Sequence, residues 1–157
     1  MNQSLRVAVI GCGAISGNHF AAIREAGQTL VALCDILPAR TRGAIEKHGL
    51  GELPCFTDYI EMLDTIKPDA VHICTPHYLH APMCIAAMER DIHVLCEKPL
   101  CISLDQLASL REAAKTSKSQ VGVHSHRFSM HLSRSLCCLL QMYQLMEEMV
   151  NLQNFDV

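Results

Sequence analysis

"VAVIGCGAISGNH", Val7–His19, is the stretch on which the fold turns. A short apolar run meets a glycine pair and then passes into small and polar residues with helical character. The pattern G-x-G-x-x-G carries weight only between a strand and a helix, and here it has that setting. Gly11 is predicted to make the tight turn, and Gly13 to let the backbone approach a pyrophosphate. A helix opening near Ala14 would turn its free N–H groups toward phosphate oxygens. Gly11, Cys12, Gly13, Ala14 and Ile15 therefore form a candidate anion cradle. Ser16 holds the third glycine position, with Gly17 next to it. That position governs helix–strand packing, where a small serine is expected to fit.

Outward from this loop, nearly unbroken apolar runs recur: "LRVAVI", "TLVALC", "DAVHIC", "DIHVLC" and "QVGVHS". They are rich in Val, Ile and Leu without polar alternation, the habit of strands buried on both faces of a parallel sheet. Segments with helical spacing lie between them. Ala14 to Glu25 is predicted as a helix that Gly27 ends. Asp58 with Glu61, and Ser103 with Gln106, read as capping boxes. Leu104, Leu107, Ala108, Ala113 and Ala114 are expected to form the buried stripe of the latter helix. "CF" after Pro54 reads as a minor strand. Strand and helix alternating to about residue 125 predict a doubly wound α/β sheet.

In such a sheet, ligands bind beyond the carboxyl ends of the strands, so the residues that follow each strand hold the chemistry. After the second strand comes "DILPAR". Asp35 follows Gly11 at close to the ~20-residue spacing of a carboxylate that accepts hydrogen bonds from an adenosine ribose, with Ile36 beside it. A carboxylate there favours NAD. Arg40 could reach a 2′-phosphate, which keeps NADP open. "TPHYLH" brings His77 and His80 to a helix start, where they could share a metal, pack the helix or touch a cofactor; we expect no metal. His72 and His93 lie within strand runs and read as packed residues. "HVLCEKPL" ends a strand in Glu97, Lys98 and Pro99. Adjacent strand residues point to opposite faces, so Glu97 and Lys98 are not expected to pair. Lys98 then needs another partner, and a bound substrate or cofactor oxygen is the natural one.

The remaining composition is that of an ordinary globular domain. The chain has 157 residues and a formal net charge of −3, which gives no electrostatic reason to expect nucleic acid or a membrane as partner. The first residues are too short an apolar run for a signal peptide, and a cytoplasmic protein is expected. Nine cysteines make an odd count with no C-x-x-C pair, so neither zinc ribbon nor thioredoxin-type site is signalled. Cys34, Cys74 and Cys96 each end a predicted strand. They read as a metal or redox cluster or, better, as compact side chains where the backbone crowds a ligand.

"VAVIGCGAISGNH", "LCDILPAR", "DAVHICTPHYLH" and "VLCEKPL", in this order, resemble the N-terminal domain of the Gfo/Idh/MocA oxidoreductases, over roughly residues 5–130. The resemblance implies a Rossmann domain over 1–128 that binds NAD or NADP. It also implies hydride transfer to or from a hydroxyl or keto group of a sugar, polyol or related small molecule. By the same resemblance, Lys98 matches the lysine that contacts substrate and assists proton movement. Thr75, Pro76 and His77 match the cofactor-contacting loop, and Arg127 matches an arginine after the sixth strand. Met130 stands where members commonly carry proline.

The family's second domain is a large β-sheet that supplies the Asp and His of the proton relay. Residues 129–157 hold no strand alternation. Leu132, Leu136, Leu139, Leu140, Tyr143, Met146 and Val150 predict one amphipathic helical tail instead. The chain alone is thus expected to turn over little. The alternative is a non-catalytic dinucleotide-binding or oligomerisation module, whose tail pairs two copies or folds back on its own domain.

Overall fold

A computed structural model of the chain describes residues 4–124. Among the described residues, six strands form one parallel sheet in the order β3-β2-β1-β4-β5-β6. The strands are β1 (Arg6–Ile10), β2 (Thr29–Cys34), β3 (Cys55–Phe56), β4 (Ala70–Ile73), β5 (His93–Glu97) and β6 (Val121–His124). Five α-helices alternate with them: α1 (Ser16–Glu25), α2 (Pro38–His48), α3 (Tyr59–Ile66), α4 (His80–Met88) and α5 (Leu104–Thr116). A 3₁₀ turn, His77–Leu79, precedes α4. The doubly wound sheet expected from the sequence is the one observed, minor strand included.

The strands are mostly apolar on both sides because each face of the sheet has its own core. Ala8, Ile10, Val71, Ile73, Val94 and Cys96 pack on one face with Met62 and Leu63 of α3, the buried row of α4 and Leu110 of α5. Val7, Val9 and Leu33 pack on the other with Phe20 and Ile23 of α1 and Ala44 of α2. The period-two alternation of a strand sorts neighbouring residues between the two cores.

The caps follow the sequence closely. The Asp58 carboxylate accepts from the Glu61 N–H at 2.9 Å, and Ser103 Oγ accepts from the Gln106 N–H at 3.2 Å. The return bond of the second box goes one residue further back, with Gln106 Oε1 accepting from Ile102 N. Helix α1 begins at Ser16, two residues later than expected, and the chain leaves it through Ala26 and Gly27 at φ +67°.

The face of α5 differs from expectation. Leu104 is 72% exposed, Ala108 and Ala114 are also exposed, and Leu110 is the buried residue, with Ala113 against the core. This helix lies at the end of the sheet and packs against α4, so only a narrow row is covered. The helical tail expected over 129–157 lies outside the described residues. Leu110→Ala should cost about 2–5 kcal/mol in chemical denaturation, as for other buried leucines. Leu104→Ser should stay within about 0.5 kcal/mol of the parent.

Candidate cofactor site

The order 3-2-1-4-5-6 places the crevice between the carboxyl ends of β1 and β4, where the chain winds away in opposite directions. Gly11 sits at that point with φ +90°. A Cβ on it would lie 2.7 Å from the carbonyl oxygen of Cys74 and 3.0 Å from the nitrogen of Thr75. The end of β4 itself therefore demands a glycine. Gly13 is different, because a Cβ there would meet nothing within 4 Å. The chain leaves open space at Gly13, and α1 points its start at it with no acidic residue in the first turn and no side-chain cap. An anion has access to that helix end.

Ser16 is buried and donates its hydroxyl to the carbonyl of Gly13 at 2.7 Å, so it closes the loop rather than merely fitting into it. The packing role falls to Gly17, whose Cβ would come 2.9 Å from Cε1 of His48 on α2. Asp35, 5% exposed, follows directly on β2. It accepts from the Cys12 N–H at 2.9 Å through Oδ2 and from the Leu37 N–H at 2.9 Å through Oδ1. The carboxylate thus locks the glycine loop to the second strand and keeps lone pairs free for a further donor. Arg40 Nη1 stands 3.8 Å from it on a largely exposed side chain, a contact of small energetic weight. Ile36 beside it is 76% exposed and Leu37 49%, an apolar shelf at the crevice rim.

On the other side, Thr75 is half-buried, its hydroxyl 3.5 Å from the Met83 sulfur, while Pro76 and His77 are exposed. His80 is fully buried. Its Nδ1 lies 2.7 Å from the carbonyl of Pro99 and its Nε2 2.8 Å from that of Thr75. Carbonyls only accept, so a neutral ring donates to one of the two loops that follow β4 and β5, and only a doubly protonated ring donates to both. With both nitrogens committed, His80 cannot share a metal with His77. Lys98 is exposed at the crevice, whereas Glu97 turns inward and is 8% exposed. The expected separation of this pair is observed.

The matching of this chain to known proteins covers the same segment. The family model described as "Oxidoreductase family, NAD-binding Rossmann fold" (Gfo/Idh/MocA) matches residues 5–125. The chain belongs to the Gfo/Idh/MocA oxidoreductase family. An inositol 2-dehydrogenase of an Arthrobacter species is 38% identical over 102 residues, 64% of this chain and 30% of that protein. D-Glucoside 3-dehydrogenase of Escherichia coli is 31% identical over 132 residues, 82% of this chain and 37% of that protein. The WlbA dehydrogenase of Bordetella pertussis, solved with NADH and UDP-GlcNAcA, superposes with a TM-score of 0.73 at 27% identity, over 82% of this chain and 39% of that one. The chain spans about a third of the length of the curated relatives it matches. NAD is the cofactor of this Gfo/Idh/MocA domain, and an open Gly13 before an uncapped helix start is a cradle that fits its pyrophosphate.

Two features of this Gfo/Idh/MocA domain were not visible in the sequence. His19, the last residue of the opening stretch, is 3% exposed. It lies 2.9 Å from a Glu97 oxygen through Nε2 and 3.1 Å from His72 Nδ1 through its own Nδ1. The only signal was its place on the inward row Ser16, His19, Phe20, Ile23 of α1. His72 is packed, as expected, but against another histidine. Burial pushes its ring down to about 3. The second feature is a cavity of about 460 Å³ at the opposite end of the sheet, between Asp64, Lys67, Asp69, Arg90 and His93. Two of its acids are already engaged, Asp64 by Arg90 at 2.6 Å and Asp69 by the Arg6 N–H at 2.7 Å, which marks a structural seam.

The strand-end cysteines are split between the faces, Cys34 and Cys96 in one core and Cys74 in the other. Burial raises the Cys34 thiol to about 12 and raises that of Cys74 as well. Hydrogen bonding to Cys84, together with burial, raises Cys96. These are compact thiols, and the three form no cluster. Arg127 lies outside the described residues.

The two glycines separate protein-imposed from ligand-imposed constraint. Gly11→Ala should lose about 2–5 kcal/mol through backbone strain and overlap with Cys74. Gly13→Ala should unfold within about 0.5 kcal/mol of the parent yet bind NAD more weakly in calorimetry. His80→Leu should cost about 1–3 kcal/mol for each buried carbonyl it strands, read as a lowered denaturation midpoint.

Proposed function

We propose that this chain is the cofactor-holding part of an NAD-dependent dehydrogenase acting on a hydroxyl or keto group of a sugar, polyol or related compound. The observation that carries the reading is the pairing of an anion-accessible loop at Gly13 with an exposed Lys98 one strand beyond the crevice. When bound, NAD supplies the hydride acceptor or, as NADH, the donor. The chain's own residues have separate tasks. Gly11, Cys12, Gly13, Ala14 and Ile15 shape the pyrophosphate seat, and Asp35 offers its remaining lone pairs to a ribose diol. Ile36 gives an apolar shelf for the adenine, with Arg40 at the rim. Thr75, Pro76 and His77 wall the nicotinamide side. His80 and Glu97 hold that wall from beneath.

Lys98 would contact the substrate oxygen directly. Its ammonium donates a hydrogen bond to a carbonyl oxygen, or stabilises an alkoxide as the hydroxyl proton leaves, and so favours the charge that develops during transfer. Relatives named for inositol and glucoside oxidation support the substrate class. Among the described residues no helix is long and apolar enough to cross a membrane. Described cysteines that are all free thiols suit a reducing, cytoplasmic setting. Self-association is a further reading, with the apolar stripe of 132–150 as its candidate surface.

A thermal-shift titration distinguishes the cofactor forms. NAD at a hundredfold excess over its dissociation constant should add about 2.7 kcal/mol, and NADP should add less, because Asp35 meets a 2′-phosphate with like charge. A larger shift with NADP would overturn the role given to Asp35, and no shift with either would overturn the site. Lys98→Met should keep the NAD shift while lowering any measured turnover by about 10²–10⁴-fold.

A further inference from the structure

Beneath the crevice, on the α1 face of the sheet, lies a group of side chains of which the cofactor reading uses only Glu97, as a support for the wall above it. Glu97 and His124 are the last residues of β5 and β6 and are register partners, so their side chains leave the sheet together. Glu97 Oε1 is 2.9 Å from His124 Nδ1 and 2.9 Å from His19 Nε2, which descends from α1. One ligand atom from each of the three lies within 4.8 Å of the other two. A fourth side chain stands behind them. His72 of β4 faces the outer ring nitrogen of His19, Nδ1 to Nδ1, at 3.1 Å.

We propose that His19, Glu97 and His124 form a binding site for a divalent transition ion of the zinc class, with His72 as the outer partner that orients His19. Two imidazoles and one carboxylate are a recurrent zinc set, and three protein ligands leave a fourth position for water or another oxygen donor. No thiolate takes part, which favours zinc, cobalt or nickel over copper(I). Ligands on a tetrahedral zinc stand about 3.4 Å apart, given bonds near 2.1 Å. The 2.9 Å separations here would open by a few tenths of an ångström to admit the ion.

Neutral imidazole and ionised carboxylate are the forms that ligate. Without metal, His19 donates from Nε2 to Glu97 and accepts at Nδ1 from His72. With metal on Nε2, the His19 proton moves to Nδ1 and His72 becomes the acceptor through its other tautomer. A ligating histidine held by a hydrogen bond on its second nitrogen is the usual arrangement of metal sites. The inference stands apart from NAD binding and would hold if that reading failed.

The test uses the full chain, stripped with a chelator and titrated with Zn²⁺ and, separately, Co²⁺. Equilibrium dialysis with elemental analysis should give one equivalent per chain, and cobalt should develop the visible absorption of a low-coordinate N/O site. Glu97→Gln and His124→Asn should each lower affinity at least ~10-fold, and His72→Leu about 10–100-fold as an outer partner. Cys55→Ser, an exposed thiol outside the cluster, should leave it unchanged. Circular dichroism checks that each variant is folded; His124→Asn, at the partly exposed end of an edge strand, is the milder of the two ligand changes. Absence of stoichiometric binding by the parent chain would overturn the site. So would affinity that survives intact in folded Glu97→Gln or His124→Asn, which would leave the group a hydrogen-bonded network only.

Discussion

The close approach of Gly11 to the carbonyl of Cys74, just past β4, is the contact on which the rest depends. With Cys74 O only 2.7 Å from where a Cβ would stand, the chain leaves β1 in a turn that only glycine makes without strain. That turn aims α1 back across the sheet with its amino end open, and it brings the Cys12 N–H to the Asp35 carboxylate. One steric fact thereby sets the crevice, the helix that faces it and the acid that bounds it. Gly13, by contrast, has open space where a Cβ would stand.

The crevice floor is built from two kinds of residue in alternation. Exposed groups, Lys98, His77 and Ile36, face outward. Inward groups hold the loops that carry them. His80 spans the loops after β4 and β5, Asp35 joins the loops after β1 and β2, and Glu97, beside Lys98, ties the end of β5 to α1. A polar group buried at such a place is costly unless paired, and each of these is paired at 2.7–2.9 Å. Their order makes the exposed groups precise without covering them.

Much of this was legible in the residues. The apolar runs gave the strands because strands buried on both faces carry no polar alternation, and Asp58 and Ser103 marked helix starts because their side-chain oxygens satisfy free N–H groups. The glycine loop, Asp35 and Lys98 were visible because each interrupts or ends such a run. What was hidden depended on distant partners. His19 reads locally as one more polar residue on a helix, and only the sheet brings Glu97, His72 and His124 to it from three other elements. Gly17 could not be assigned to His48 without knowing that α1 packs on α2. The face of α5 was misread because residue type alone suggested a broad stripe, whereas a helix at the end of the sheet covers a narrow one around Leu110.

The most direct measurement is an amide chemical-shift map of the isotopically labelled chain titrated with NAD. The account predicts the largest changes at Gly13, Ala14, Ile15, Ile36 and Thr75, with Asp64, Asp69 and Ile92 at the far end of the sheet unmoved. Changes centred on the cavity between Lys67 and Arg90, with the Gly11–Ile15 loop still, would contradict it.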